Sequence, residues 1–158
     1  MTDDQALQKA KAYAFRLLSY RDRSEHEMVL KLRQRGYSPE TIEKTIDDLR
    51  EAGYLDDGRL ARFLADDARE RRCLGEGGVR NLLRKRGIAR DVAEQIAGRD
   101  EDSPERAERF IARYMQRHHD DDVTAARKKL WGLLTRRGYV PGTIARALDA
   151  YFGREREH

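Results

Sequence analysis

Cysteine, proline and long apolar runs are scarce in this chain of 158 residues. The one cysteine, Cys73, excludes a disulfide framework and a four-cysteine zinc site, and it fits a reducing compartment. No apolar run approaches the roughly 20 residues that a membrane-spanning helix needs. The N-terminal segment "MTDDQALQKAKAY" also lacks the basic and then apolar order of a signal peptide. We therefore expect a soluble, cytoplasmic protein.

Only three prolines interrupt the chain, and its apolar residues recur at helical spacing. Charged and hydrophobic residues each make up 39% of the sequence. Because the hydrophobic residues are clustered, the pattern favours a folded chain over a disordered one. Met28 and Leu32 share one face of a predicted helix, and Ile42, Ile46 and Leu49 share a face of the next. The sequence predicts an all-α fold.

One motif determines the organisation of the chain. It occurs as "LRQRGYSPETI" at residues 32–42, "LRKRGIARDVA" at 83–93 and "LTRRGYVPGTI" at 134–144. Gly36, Gly87 and Gly138 are therefore spaced 51 residues apart. Glycine readily takes the left-handed conformation that ends a helix, so each copy predicts a helix end, a turn and a new helix.

A further apolar segment precedes each motif and predicts a leading helix. The chain thus consists of three predicted three-helix repeats, about nine helices in all, at residues 1–54, 55–99 and 100–158. One such unit is too small to bury much apolar surface alone. We therefore expect the repeats to stack into an elongated, curved array. The segment at residues 98–106, "GRDEDSPER", is the expected flexible joint.

Residues 51–88 resemble the signature of the RecX family, bacterial regulators of the RecA recombinase. The similarity lies in the turn at residues 53–57, the following helix with Arg59 and Phe63, and the arginine-rich helix that ends at residues 86–88. The resemblance implies a noncatalytic protein that binds the RecA filament on single-stranded DNA and hinders filament extension, ATP hydrolysis and strand exchange. It also implies that tandem three-helix repeats fill nearly the whole chain.

The sequence departs from this family pattern at two added glycines, Gly77 and Gly78. Glycine is a poor helix former because it loses more backbone freedom than other residues. We therefore expect the start of the helix in this region to be loosely formed.

Basic residues predict where a partner binds. Arginine outnumbers lysine 26 to 7, and residues 55–99 carry 11 basic and 8 acidic side chains. Arginine suits bidentate contact with phosphate or carboxylate. The candidate binding residues for the recombinase, with possible direct contact to DNA, are Arg69, Arg72, Arg80, Arg84, Lys85, Arg127, Lys128, Lys129 and Arg136.

Position along the helix separates these cations from others. Arg80 and residues 127–129 lie in the first halves of their predicted helices, where the helix dipole disfavours positive charge, so a partner would explain them. Arg35, Arg86 and Arg137 each precede a repeat glycine, where a helix C-terminus favours positive charge. We assign these three to helix stability.

Other interpretations have weaker support. A helix-turn-helix DNA-binding protein is the alternative function, but its reading helices would have to be "PETIEKTIDDLRE" and "ARDVAEQIAG", which are acidic or mixed. His118 and His119 beside acidic residues are better explained as a helix end than as a metal site. The chain has no phosphate-binding "GxxxxGK[ST]" loop. We expect a monomer without enzymatic activity or a cofactor.

Aromatic side chains could stack on nucleic-acid bases, but their spacing assigns them elsewhere. Phe63, Phe110, Tyr37 and Tyr139 occur on the apolar stripes of predicted helices, and Trp131 lies between two leucines of such a stripe. We expect all five to pack in the core.

Overall fold

The computed structural model describes residues 2–98, 102–119 and 121–157, with side chains up to residue 154. The described residues form helices joined by short turns, without a strand. The helices are α1 (Asp3–Tyr20), α2 (Glu25–Gln34), α3 (Pro39–Glu51), α4 (Asp57–Arg72), α5 (Glu76–Lys85), α6 (Arg90–Ala97), α7 (Pro104–Arg117), α8 (Val123–Arg136) and α9 (Pro141–Glu157). The all-α prediction is confirmed.

Local sequence signals fix most helix starts. The Ser24 hydroxyl accepts a hydrogen bond from the Glu27 amide, and the Glu27 carboxylate accepts one from the Ser24 amide, so α2 begins with a capping box. Ser38, Asp56 and Ser103 cap α3, α4 and α7 through their side chains. Helix α5 differs, because its N-cap residue is a glycine that has no side chain to accept such a bond.

The repeat glycines end their helices as predicted. Gly36, Gly87 and Gly138 have φ angles of +85°, +84° and +94°. These values lie in the left-handed region, which a residue with a Cβ enters only with strain. The turn is therefore encoded by the same residue in all three copies.

Three hydrophobic clusters form the interior, one for each set of three helices. The first contains Met28 and Leu32 between α1 and α3, the second contains Val79 and Leu83 beneath α4, and the third is built from α7, α8 and α9. The cores are thus separate rather than continuous. The domain boundaries after residues 54 and 99 stay predictions.

Two aromatic side chains assigned to the core lie at the surface instead. Phe63 is 65% exposed because the buried face of α4 is a stripe that includes Ala61 and Ala65, and Phe63 is about 200° around the helix from either. Trp131 is 40% exposed, since it lies about 100° around α8 from the buried Leu130. The prediction was wrong for both residues. It was right for Tyr139, which is buried.

Repeats 2 and 3 meet where the start of α5 contacts the end of α8. The Gly75 amide donates to the Arg137 carbonyl at 2.9 Å, and the Gly77 amide donates to the Gly138 carbonyl at 3.1 Å. A Cβ atom on Gly78 would stand 2.2 Å from the Arg137 carbonyl oxygen. The expectation of a loosely formed helix start was wrong, because the glycines allow two backbones to approach closely.

The equivalent residues make the joint between repeats 1 and 2. Here the start of α2 contacts the end of α5: a Cβ on Gly87 would stand 2.7 Å from the Ser24 hydroxyl. Arg86 pairs with Glu27 at 3.1 Å and donates to the Asp22 carbonyl at 3.0 Å. The two joints are therefore related by the 51-residue shift, but at the matching positions the first uses the side chains of Ser24 and Arg86, whereas the second uses glycine backbone.

The expected flexible joint at residues 98–106 lies partly outside the described residues. Within its described part, Asp102 accepts hydrogen bonds from the Glu76 amide at 2.8 Å and from the Val140 amide at 2.9 Å. This carboxylate supplies the cap that α5 lacks, and it also holds the start of α9.

The array is elongated. Its accessible surface is 10083 Å², whereas a compact monomer of 18.4 kDa exposes about 8,200 Å². The excess arises because each core is covered only by its own three helices. No helix in the described ranges is both long and apolar enough to cross a bilayer.

Candidate interaction surface

The basic residues predicted on α5 differ in the contacts that their side chains make within the fold. Arg80 pairs with Glu76 one turn earlier at 2.8 Å. Arg84 donates to the Ile88 carbonyl at 3.1 Å and has no ion pair with a described residue. Lys85 is exposed and likewise has no carboxylate partner in the part of the chain that the structure describes. Lys85 is thus the most available cation of this helix.

The predicted residues on α8 show the same division. Arg127 pairs with Asp149 of α9 at 2.6 Å, and its guanidinium lies 5.6 Å from the centroid of the Phe152 ring. Lys128, Lys129 and Arg136 are exposed, and none of them forms an ion pair with a described residue. These three cations remain free to meet a partner.

On α4, the predicted residues Arg69 and Arg72 have different environments. The Arg69 side chain is only 14% exposed and donates to the carbonyls of Ile96 and Ala97 at 2.8 and 3.3 Å. Arg69 therefore caps the end of α6, which explains it without a partner, and its place in the binding surface stays a prediction. Arg72 is exposed at the end of α4, next to the joint between repeats 2 and 3.

Ion pairs give Arg80 and Arg127 an explanation other than a partner, and their place in the binding surface stays a prediction. Both lie early in their helices, but each has a carboxylate partner that compensates its charge. A binding partner is therefore not needed to explain them. Lys128 and Lys129 lie in the first half of α8 without a carboxylate partner among the described residues, so a binding partner would still explain their charge.

The arginines that precede the repeat glycines all serve the fold. The Arg35 guanidinium lies 4.2 Å from the ring centroid of Tyr13 on α1, and that of Arg137 lies 4.3 Å from Phe110 on α7. Arg86 instead pairs with Glu27 of the preceding repeat. The structural assignment is confirmed, but contacts with other helices account for it more directly than the helix dipole does.

The end of α4 is held by donors from repeat 3. Four consecutive carbonyls each accept a hydrogen bond from a different side chain: Arg71 from Arg113, Arg72 from Arg137, Cys73 from Tyr139 and Leu74 from Arg106. Helix ends leave such carbonyls without intrahelical partners. Burial raises the pKa of the Tyr139 phenol, so its proton is retained for this bond. Cys73, which is buried, thus has a structural role here.

A basic cleft at this joint was not predicted. Its volume is about 390 Å³, and its walls come from the end of α4, from α7 and from Arg137. The sequence-based prediction chose cations on α4, α5 and α8 and none on α7. A signal was present, because Arg109, Arg113 and Arg117 recur every four residues and share one helix face.

The expectation for His118 and His119 is also answered in part. His118 lies 3.8 Å from Asp121 and stacks on Tyr114, with ring centroids 4.2 Å apart. Among the residues that the structure describes, no group of three potential metal ligands comes together.

Comparison with known proteins decides the family. Residues 10–49 match the model described as "RecX, first three-helix domain". The chain is 29% identical to the regulatory protein RecX of Chlorobium phaeobacteroides (strain BS1), over 96% of this chain and 97% of the relative. It is 32% identical to the regulatory protein RecX of Mycobacterium sp. (strain KMS), over 95% and 85%. The chain belongs to the RecX family.

Solved structures support the fold of this RecX-family protein. A crystal structure of RecX from Lactobacillus salivarius superposes with a TM-score of 0.81 at 20% identity, over 94% of this chain and 97% of that one. A second structure, of a regulatory protein RecX, gives a TM-score of 0.76 at 22% identity, over 91% and 73%. The helical repeat fold is therefore shared. The names of the sequence relatives assign this RecX-family chain a regulatory role.

Proposed function

We propose that the protein binds the filament of a RecA recombinase on single-stranded DNA and inhibits its ATP hydrolysis, extension and strand exchange. The observation that carries this proposal is similarity to RecX regulatory proteins along nearly the whole chain. The protein would act as a cytoplasmic monomer in recombination, DNA repair and the SOS response. It would need no cofactor and would catalyse no reaction, because ATP hydrolysis belongs to the recombinase.

The elongated array suits a helical filament physically. Three repeats with separate cores present a long surface that can contact more than one recombinase subunit at once. Weak contacts that are linked in this way add up to strong binding, provided that their spacing matches the partner.

Exposed cations on two helices would supply part of the contact. Lys128, Lys129 and Arg136 lie on α8, and Lys85 lies on α5. Because they form no ion pair with described residues, binding a carboxylate or a phosphate would not first require a contact to be broken. Their contribution should therefore weaken as salt screens it.

The test is titration of the protein into a RecA recombinase assembled on single-stranded DNA, with ATP hydrolysis and strand exchange as readouts. We expect both rates to fall at protein concentrations well below that of the recombinase, since blocking extension affects many subunits at once. Binding to the same DNA without recombinase, measured in parallel, tests the helix-turn-helix alternative. Unchanged ATP hydrolysis over a full titration, with folding verified by circular dichroism, would falsify the proposal.

A further inference from the structure

We propose that the cleft between repeats 2 and 3 is a binding site for the phosphate groups of a nucleotide or a single-stranded nucleic acid. The inference does not depend on recombinase binding, because it concerns a site within this chain. Six basic side chains line the cleft: Arg71, Arg72, Arg113, Arg117, His118 and Arg137.

The composition of these walls is unusual for this protein. None of the described aspartates and glutamates lines the cleft, whereas four other surface cavities each include at least one carboxylate. Among the described residues, two carboxylates contact the lining from outside it: Asp67 lies 3.3 Å from Arg71, and Asp121 lies 3.8 Å from His118. The remaining four arginines form no ion pair with a described residue, so positive charge is left in excess.

The arginines are held in place by bonds that leave part of each guanidinium available. Arg113 donates through one terminal nitrogen to the Arg71 carbonyl at 3.2 Å and to the Cys73 sulfur at 3.5 Å. Arg137 donates through one terminal nitrogen to the Arg72 carbonyl. Since a guanidinium carries five N–H donors, each still has donors for an anion. The side chains of Arg72 and Arg117 are exposed and make no hydrogen bond with described residues.

Like charges are crowded in this cleft. Burial lowers the pKa of Arg137, and repulsion from Arg72 lowers it further. A bound anion would offset both effects. In addition, the Tyr114 hydroxyl is buried beside the cleft and has no hydrogen-bond partner in the part of the chain that the structure describes, which is an exception for a buried polar group.

Ring stacking favours a nucleotide over a simple carboxylate ligand. The His118 ring lies nearly parallel to the Tyr114 ring, at an interplanar angle of 20°, and its side chain remains 41% exposed. The outer face of this pair offers a platform for a base, and base stacking on such rings contributes roughly 1–3 kcal/mol. The volume, about 390 Å³, is within the range of small-molecule sites.

Calorimetric titration of the full chain with three probes tests the site: inorganic tripolyphosphate, ATP and an eight-residue oligothymidylate. We expect Arg72→Glu with Arg117→Glu to weaken binding of any probe that binds by at least about tenfold, because charge reversal places two carboxylates beside the phosphates. Lys9→Glu with Lys44→Glu, which changes the net charge equally on exposed residues of repeat 1, should leave affinity within about twofold.

The probes also distinguish the source of the phosphate. Binding of ATP and tripolyphosphate indicates a free nucleotide, whereas binding of the oligonucleotide alone indicates a strand; either result supports the site if it depends on Arg72 and Arg117. His118→Ala should weaken ATP or oligonucleotide binding at least about threefold and leave tripolyphosphate unchanged, because only the first two carry a base.

Three results would overturn the proposal. The first is that all probes bind the doubly reversed variant as well as the parent, and the second is that none binds the parent. The third is that an octaglutamate peptide binds more tightly than the oligonucleotide in a manner dependent on Arg72 and Arg117, which would identify an acidic protein segment as the ligand. Thermal melts check that each variant is folded. If the charge-reversal variant has a lower melting temperature than the parent, Arg72→Gln with Arg117→Gln takes its place.

Discussion

The three repeat glycines share a conformation but have different surroundings. Nothing lies within 4 Å of a Cβ built on Gly36, whereas one on Gly87 would meet the Ser24 hydroxyl at 2.7 Å. A Cβ on Gly138 would stand 1.9 Å from the backbone nitrogen of Gly78. The strain of positive φ is therefore common to all three, and steric overlap is added to it at two of them.

Alanine substitution should separate these effects. We expect Gly36→Ala to cost about 1 kcal/mol through left-handed strain alone. Gly138→Ala should cost about 3 kcal/mol or more, because backbone cannot move aside as a side chain can. Gly87→Ala should fall between them. Denaturant unfolding of the three variants gives the order, and Gly53→Ala, with positive φ and open space, is the control. Equal losses at Gly36 and Gly138 would contradict the close packing.

Two carboxylates at the first joint have pKa values shifted in opposite directions. Burial raises the pKa of Glu27, but hydrogen bonds from the Ser24 amide and from Arg86 outweigh it, and the pKa lies below its usual 4.5. Burial raises the pKa of Asp57 above its usual 3.8, although the Glu25 amide donates to it. Ionised Glu27 thus stabilises the fold, and ionised Asp57 opposes it.

The stability of two variants should therefore diverge with pH. Glu27→Gln should lower the free energy of unfolding by about 1–2 kcal/mol at pH 7. This difference from the parent should vanish as the pH falls below the lowered pKa of Glu27. Asp57→Asn should match or exceed the parent at pH 7, and that difference should vanish below about pH 3.8. Thermal melts between pH 3 and pH 7 measure both. A pH-independent loss for Glu27→Gln would mean that its charge is irrelevant.

Single residues also show how far the sequence predicts this structure. The turn at Gly36 was predicted because its cause is local: the left-handed backbone conformation of a single residue. Phe63 was misplaced because the helix was identified correctly but its buried face was not. The small residues Ala61 and Ala65 fill the buried face of α4. A pattern that gives more weight to large apolar residues therefore places the buried face on the opposite side of the helix, with Phe63.

At the scale of elements, Asp102 joins three of them. It lies just before α7 and accepts amide hydrogen bonds from the first residue of α5 and from Val140 at the start of α9. Spacing along the chain does not indicate such contacts, since they cross 26 and 38 residues. The basic cleft was missed for the same reason. Its arginines come from separate helices, and only their packing brings them together.

Removal of this carboxylate should be more costly than removal of an ordinary cap. We expect Asp102→Ala to destabilise the fold by about 2 kcal/mol, because each of two capping bonds contributes about 1 kcal/mol. Asp122→Ala, which removes one local cap from α8, is the matched control and should cost about half as much. Chemical denaturation compares them. Equal losses would indicate that one of the two Asp102 bonds contributes nothing.

For the whole molecule, charge reversal separates binding from stability. Lys128→Glu with Lys129→Glu should weaken binding to recombinase filaments about tenfold, flatten its dependence on salt and leave the melt unchanged, because both residues are exposed without an ion pair. Arg35→Glu should instead lower the melt, since it removes the contact with Tyr13. Cosedimentation with filaments at several salt concentrations gives the binding.

The ion pair of Arg127 refines this prediction. Arg127→Glu breaks the ion pair with Asp149, so a loss of stability should accompany any loss of binding. Lys9→Glu with Lys44→Glu, on repeat 1, controls for net charge. If the reversals at residues 128 and 129 inhibit the recombinase as well as the parent does, the contact surface lies on another part of the array.

The contrast between the two joints has a mechanical consequence. Backbone meets backbone at the glycines of the second joint, and four side chains of repeat 3 also donate hydrogen bonds to the carbonyls at the end of α4. The first joint relies on the long side chains of Arg86 and Glu27, whose torsions can adjust while their ions remain paired. When the molecule is bent, repeats 2 and 3 should stay rigid relative to each other, and the bending should occur at the joint between repeats 1 and 2. By bending at the first joint alone, a protein built in this way can fit a helical partner whose pitch varies.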